Sequence, residues 1–193
     1  MNLTQEQIKS LEKANPRFRE RHVESPYPGY LLCQNTFMLG TIKGVSRTYT
    51  QAIVRTYSSS AFGTLYTSKL PESAADILYE RVLTFYRDHD LIVEHIPTHD
   101  GREYCSRPII HPYQIFPGFS DIKHRRTKVA TPRTNGFIKR FARAVLDQFS
   151  RETFRSKFYA SVEALQQDQD QWLYYYNHER PHRGYRNNGQ APY

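Results

Sequence analysis

Cysteine is almost missing from this sequence: Cys33 and Cys105 are the whole supply in 193 residues. Two thiols do not make a disulfide framework, and they fit a chain kept in a reducing cytoplasm. There is no CxxC pair or close His/Cys group, so structural zinc is not expected. Long apolar runs are missing as well. Nothing approaches the length of a membrane span, so no membrane partner is expected. Residues 1–7 lack a basic stretch followed by an apolar one, which argues against a signal peptide. Tryptophan occurs once, and carboxylates are scarce. Nineteen Asp and Glu stand against 27 Lys and Arg, leaving a net charge of +8 and a pI of about 9.5. That balance favours a polyanionic partner, although a solvated basic surface gives the same totals. No internal repeat or low-complexity tract is present.

What is plentiful is aromatic, with 15 Tyr and 11 Phe. Such residues suit strands and half-buried surfaces, so a mixed α/β domain fits better than a helical bundle. Thr4 is an N-cap candidate, and Gln7 three residues on completes a capping box. Pro16, Pro26, Pro28 and Gly29 then break the chain. The reading is a short N-terminal helical arm over residues 1–29 and a core domain over 30–193. Within the core, strands are expected at 30–39, 48–55 and 61–67. Gly44-Val45-Ser46-Arg47 and Ser58-Ser59-Ser60 separate them as turns. Pro71 opens a helix to about residue 89, with Ala74, Ala75, Leu78 and Val82 at helical spacing. A strand over 91–97 follows. A helix between strands argues for a crossover, so this strand can lie parallel to the first. The last strand falls within 121–127. Helices over 135–150 and 161–177 complete the pattern. Phe137, Phe141, Val145 and Phe149 share one face of the former. Val162, Leu165, Trp172 and Leu173 point inward from the latter, which Ser161 caps.

Four segments in order carry a resemblance. Gln34-Asn35-Thr36 resembles an Asp-x-Thr first strand. Thr98-His99-Asp100-Gly101-Arg102-Glu103-Tyr104 resembles a Thr-Asp-Asn-Gly-x-Glu-Phe turn. Thr134-Asn135-Gly136-Phe137-Ile138-Lys139-Arg140-Phe141 resembles an Asn-Gly-x-x-Glu-Arg helix start. Tyr176-Asn177-His178-Glu179-Arg180-Pro181-His182 resembles a Tyr-Asn-x-x-Arg-Pro-His terminus. Together they resemble the bacterial insertion-sequence transposases with a retroviral-integrase-type catalytic core. The resemblance implies an α/β, RNase H-like integrase core: a mixed five-stranded sheet flanked by helices. It also implies functions in DNA transposition and DNA integration. In that family three carboxylates hold two magnesium or manganese ions for in-line phosphoryl transfer.

By this resemblance the family's first Asp falls at Asn35, its second at His99 and its Glu at Lys139. A further family Asp, in a Val-Asp-x-Tyr-Ser pattern, falls at Arg55. An ammonium has three donors and no acceptor, so Lys139 cannot ligate a cation. The four replacements together raise the charge by about six units. At about 4 Å and an effective dielectric near 20, each like-charge contact costs about 4 kcal/mol. Metal binding and two-metal catalysis are therefore expected to be lost, leaving no cofactor. Asp100 and Glu103 are the nearest acids that could serve instead. Neighbouring side chains on an extended segment point opposite ways, so Asp100 should miss the pocket. A one-metal nuclease built from His99 and Asn35 is a further route.

The DNA-contact candidates are His124, Arg125, Arg126, Lys128, Arg133, Arg140 and Arg143, with Arg151, Arg155 and Lys157 as an extension. Such side chains hold phosphates without reading sequence. The Tyr174-Tyr175-Tyr176 run is read as packing surface rather than base-stacking platform. The family's N-terminal helix-turn-helix module is not visible in this sequence. The leading expectation is a truncated, inactive transposase-like protein that retains non-specific DNA binding. A second reading is an interaction or inhibitory subunit that joins a copy of itself or an active transposase. A third is a metal-dependent nuclease or strand transferase with relocated ligands. Asn35, His99 and Lys139 should converge at one end of the sheet.

Overall fold

The computed structural model describes residues 25–44, 46–98, 104, 123–126, 136–183 and 186–193, with backbone alone for 123–126. The expected helical arm therefore lies largely outside the described residues. Three strands form an antiparallel meander: β1 (Leu32–Ile42), β2 (Ser46–Arg55) and β3 (Ala61–Tyr66). β1 does not stop at Gly40 as its sequence suggests. The register shifts between Met38 and Gly40, and pairing resumes to Ile42. This is a bulge, and glycine is what fits it. A Cβ at Gly40 would sit 2.6 Å from the Phe154 ring. Ser46 and Arg47, read as turn, begin β2; Gly44, at φ +78°, makes the turn.

Helix α1 is one rod in three parts: α-helical Pro71–Asp76, π-helical Ile77–Leu83 and α-helical Thr84–Asp88. It leads to β4 (His95–Thr98), which pairs in parallel with β5 (Lys123–Arg126). A parallel bridge between Leu31 and His95 joins this pair to the meander, beside β1. The strand order is thus β3-β2-β1-β4-β5, five strands of mixed direction. β4 starts later than its apolar sequence suggests. Leu91 N–H bonds back to Tyr86 O at 2.8 Å and closes α1. Apolar character at Leu91 and Val93 serves packing here, not strand pairing.

Helix α2 runs through Gly136–Ala144, a π-helical stretch Val145–Ser150, and Arg151–Ser156. It outlasts the expected end at residue 150, because Ser150 does not cap it. The Ser150 hydroxyl donates instead to Leu39 O at 2.8 Å, beside the β1 bulge. Helix α3 (Val162–His178) starts where Ser161 Oγ accepts from Ala164 N–H at 3.3 Å, a true N-cap.

The sheet separates two cores. On one face α1 packs Ile77, Leu78, Val82 and Tyr86 against Leu32, Ile53 and Ile96. On the other, α2 and α3 bring Ile138, Phe141, Val145, Leu165, Leu173 and Tyr176 onto Cys33, Leu39 and Val54. Alternation along each strand sends successive side chains to opposite cores. Each fully buried large side chain contributes about 1.5–3 kcal/mol of transfer free energy.

α3 also closes the β3 edge. Asn177 accepts from Ala61 N–H and donates to Ala61 O, both at 2.9 Å. About three helical turns away, Gln166 Oε1 accepts from Leu65 N–H at 2.7 Å. Eleven helical steps span about 16 Å and four strand steps about 13 Å, so an antiparallel helix can serve both sites. Between them Gly63 lets Leu173 come close; a Cβ there would meet Leu173 Cδ1 at 3.2 Å. An edge strand covered in this way presents fewer open backbone groups to another chain.

Candidate functional site

Asn35 lies in the middle of β1, opposite Ala52. Cys33 and Val54, a cross-strand pair in the same alternation, belong to the core under α2 and α3. Asn35 is therefore on the α2 face of the sheet. Lys139 lies on the first turns of α2, exposed, between buried Ile138 and Phe141. Arg140 follows it, with its guanidinium 4.9 Å over the Phe137 ring. Burial pushes the Cys33 thiol up to about 12, and the Arg140 charge pulls the other way. The start of α2 thus brings positive charge toward the part of β1 that carries Asn35.

His99, Asp100 and Glu103 lie outside the described residues. Thr98 and Tyr104, on either side of them in sequence, are both fully buried: Thr98 ends β4, and Tyr104 packs against Ala74 and Ala75 of α1. The Tyr104 hydroxyl is 2.9 Å from Thr36 Oγ1 and donates to Gln51 Oε1 at 3.0 Å. Thr36 is the neighbour of Asn35, so Tyr104 is tied to β1 one residue from the position of interest. Gln51 Nε2, in the same network, is buried with no partner among the described residues. The sequence offered Tyr104 only as the last residue of a motif. Its tie to Thr36 and Gln51 needed three dimensions.

Arg55 is placed differently from its expected role. It pairs across the sheet with Leu32, which belongs to the α1 core, so its side chain is on the opposite face from Asn35. It is 7% exposed, donates from Nε to Ser60 Oγ, and stacks 5.0 Å over Phe85 and 5.5 Å over Tyr193. The charge expected at the substituted pocket therefore falls from about six units to about four.

Of the basic residues, Arg140 and Arg143 are exposed on α2. His124, Arg125 and Arg126 lie on β5 beside Ile96, Pro97 and Thr98 of β4. Lys128 and Arg133 lie outside the described residues. The extension is partly neutralised: Arg151 meets Asp147 at 3.2 Å, and Lys157 meets Asp168 at 2.6 Å. The Lys157 ammonium and then the Tyr159 hydroxyl hold the Asp168 carboxyl below its usual range. Among the described residues no three His, Cys, Asp or Glu side chains are grouped to hold a metal ion.

The tyrosine run divides. Tyr176 is buried, and burial pushes its hydroxyl up to about 12. Tyr174 and Tyr175 are 60% and 44% exposed, so these two are not core residues. The remaining motif residues of this terminus do structural work. Asn177 clamps the β3 edge, and Arg180 stacks 5.4 Å over Tyr176 while donating to Gln148 Oε1 at 3.0 Å. His182 is buried edge-on against Tyr176.

Comparison with known proteins agrees with this architecture. The integrase core domain family matches residues 120–188. No curated protein matches the sequence. Among solved structures, a chain of the simian T-cell lymphotropic virus intasome in complex with the PP2A regulatory subunit B56 gamma is similar at a TM-score of 0.68. Identity is 16% over 90% of this chain and 56% of that one, so this chain spans little more than half of its length. The HTLV-2 integrase catalytic core domain in complex with magnesium gives a TM-score of 0.64, with 12% identity over 88% of this chain and 97% of that one. The BIV integrase catalytic core domain gives 0.59, with 16% identity over 86% and 91%. The fold of this chain is that of the RNase H-like integrase catalytic cores.

Proposed function

We propose that this chain is a transposase- or integrase-like DNA-binding protein in which the metal-dependent chemistry has been lost. The observation that carries the reading is Lys139, exposed on α2 over the face of the sheet that holds Asn35. These residues do not fit a divalent cation: an amide offers one neutral oxygen, and an ammonium offers only donors and a repelling charge. Arg140 and Arg143, on the same helix, supply phosphate contacts for DNA. The division into an arm at 1–29 and a core at 30–193, and an origin among insertion sequences, belong to the same reading. So do assembly with a second copy or an active transposase subunit, and work in the cytoplasm.

Calorimetric titration with magnesium tests it directly. The unaltered chain should take up no ion, with or without DNA. The triple variant Asn35→Asp, His99→Asp, Lys139→Glu should regain measurable binding, since it restores about four units of negative charge. Two ions bound by the unaltered chain would overturn the reading. For DNA, Arg140→Gln with Arg143→Gln should weaken a duplex uniformly across sequences. It should also lower the slope of log affinity against log salt by about 2. An unchanged slope removes α2 from the interface.

A further inference from the structure

A row of rings crosses the β3 edge of the sheet, well apart from Asn35. Tyr174 of α3 stacks on His178 with centroids 4.5 Å apart and planes at 28°. His178 meets Tyr193 at 4.6 Å. Tyr193 reaches over to α1, with its ring 5.9 Å from Phe85 and its hydroxyl 3.2 Å from His89 Nε2. Phe85 in turn stacks on His89 at 4.1 Å and 25°. The two tyrosines are 60% and 58% exposed, so part of each side chain is accessible to a ligand.

Arg55 lies beneath this row, with its guanidinium between the Phe85 and Tyr193 rings. No carboxylate among the described residues pairs with it. A guanidinium 7% exposed and without a counter-charge is costly, and its planar fork suits phosphate oxygens. The Tyr86 hydroxyl is buried beside it; burial pushes its pKa up, and the Arg55 guanidinium pulls the other way. A guanidinium with no carboxylate partner among the described residues, beneath exposed tyrosines, matches a ligand that carries both phosphate and planar rings. Bases inside a duplex are already stacked, whereas those of an unpaired strand are free to stack on protein rings.

We propose that this row binds an unpaired nucleic-acid strand, with bases stacked on Tyr174 and Tyr193 and a phosphate drawn toward Arg55. The site is separate from α2 and stands whether or not α2 holds a duplex.

The test uses the full chain and fluorescence anisotropy. The probes are labelled oligothymidylate, oligouridylate and a DNA duplex, each of about 20 units, in about 50 mM salt. Tyr174→Ala and Tyr193→Ala should each weaken single-strand binding roughly tenfold, with duplex affinity changed less than about twofold. Tyr174→Phe and Tyr193→Phe should keep it. The two single-stranded probes tell DNA from RNA. Since Arg55 is buried, the companion readout uses the unaltered protein: photo-crosslinking to a bromodeoxyuridine strand. Adducts should fall on the peptides that carry Tyr174 or Tyr193. No single-strand binding, equal losses on strand and duplex, or adducts confined to α2 would each overturn the proposal.

Discussion

Asn177 offers the sharpest test of how this domain holds its edge. Its amide makes two hydrogen bonds of 2.9 Å to the N–H and C=O of Ala61, as a neighbouring strand would. Ala61 is 3% exposed, so water reaches these groups poorly once the amide is gone. Each bond contributes about 1 kcal/mol net, and each buried group left without a partner costs about 1–3 kcal/mol. Asn177→Ala should therefore cost about 2–4 kcal/mol. For a chain of this size that lowers the thermal midpoint by about 5–15 °C. Differential scanning calorimetry measures the midpoint, and amide hydrogen exchange at Ala61 locates the damage. Exchange there should accelerate by at least the factor that the lost stability implies, while the β1–β2 ladder keeps its relative protection. Asn177→Gln keeps both groups one methylene further out and should fall between. A midpoint within about 1 °C of the unaltered protein, with Ala61 still protected, would refute the edge-clamp account.

Phe141 is 1% exposed and packs against Tyr176 and Trp172 at centroid distances of 5.1 and 6.2 Å. Phe141→Ala should cost about 3–5 kcal/mol in chemical denaturation, with an unchanged slope against denaturant. His182 gives a pH test. Burial, and then the neighbouring Arg180 charge, lower its pKa from the ordinary 6.5, against a hydrogen bond to the Tyr176 backbone. The unfolded chain therefore takes the proton first, so stability should fall as pH drops below about 6.5 and level off below the folded pKa. His182→Gln should flatten that part of the stability profile; an identical slope in both proteins would place the acid sensitivity elsewhere.

Much of the fold was legible because its elements obey simple periods. Leu78, Val82 and Tyr86 mark the buried side of α1, and Ser161 caps α3 as its sequence suggests. Boundaries were harder, for reasons visible in single residues. Gly40 looks like a stop, but a bulge against Phe154 uses it inside a strand. Ser150 looks like a helix end, but its hydroxyl is spent on Leu39. The π-helical stretches leave no period of their own in so few residues. At the site, the motifs pointed to Asn35 and Lys139 through their neighbours in sequence. Arg55 was grouped with them through the Val-Asp-x-Tyr-Ser resemblance, and the cross-strand register that puts it on the other face is not written in that motif. The exposure of Tyr174 beside buried Tyr176 was likewise invisible in a run of three identical residues.

That separation of faces changes the electrostatic argument. If Arg55 and Lys139 shared a pocket, one reversal of charge would account for both. They do not: Arg55 belongs to the α1 face and Lys139 to a helix on the other. A sheet with side chains on both sides spaces such groups by well over a hydrogen-bonding distance, and Coulomb energy falls with that separation. Each cation therefore needs its own account. Lys139 is exposed, so water solvates it at little cost. Arg55 is buried among rings, so the cation–π contacts it keeps must offset much of its lost hydration. An added anion would lower its free energy further. The two basic positions, one solvated and one sheltered, lie on opposite faces of the sheet and answer to different electrostatic costs.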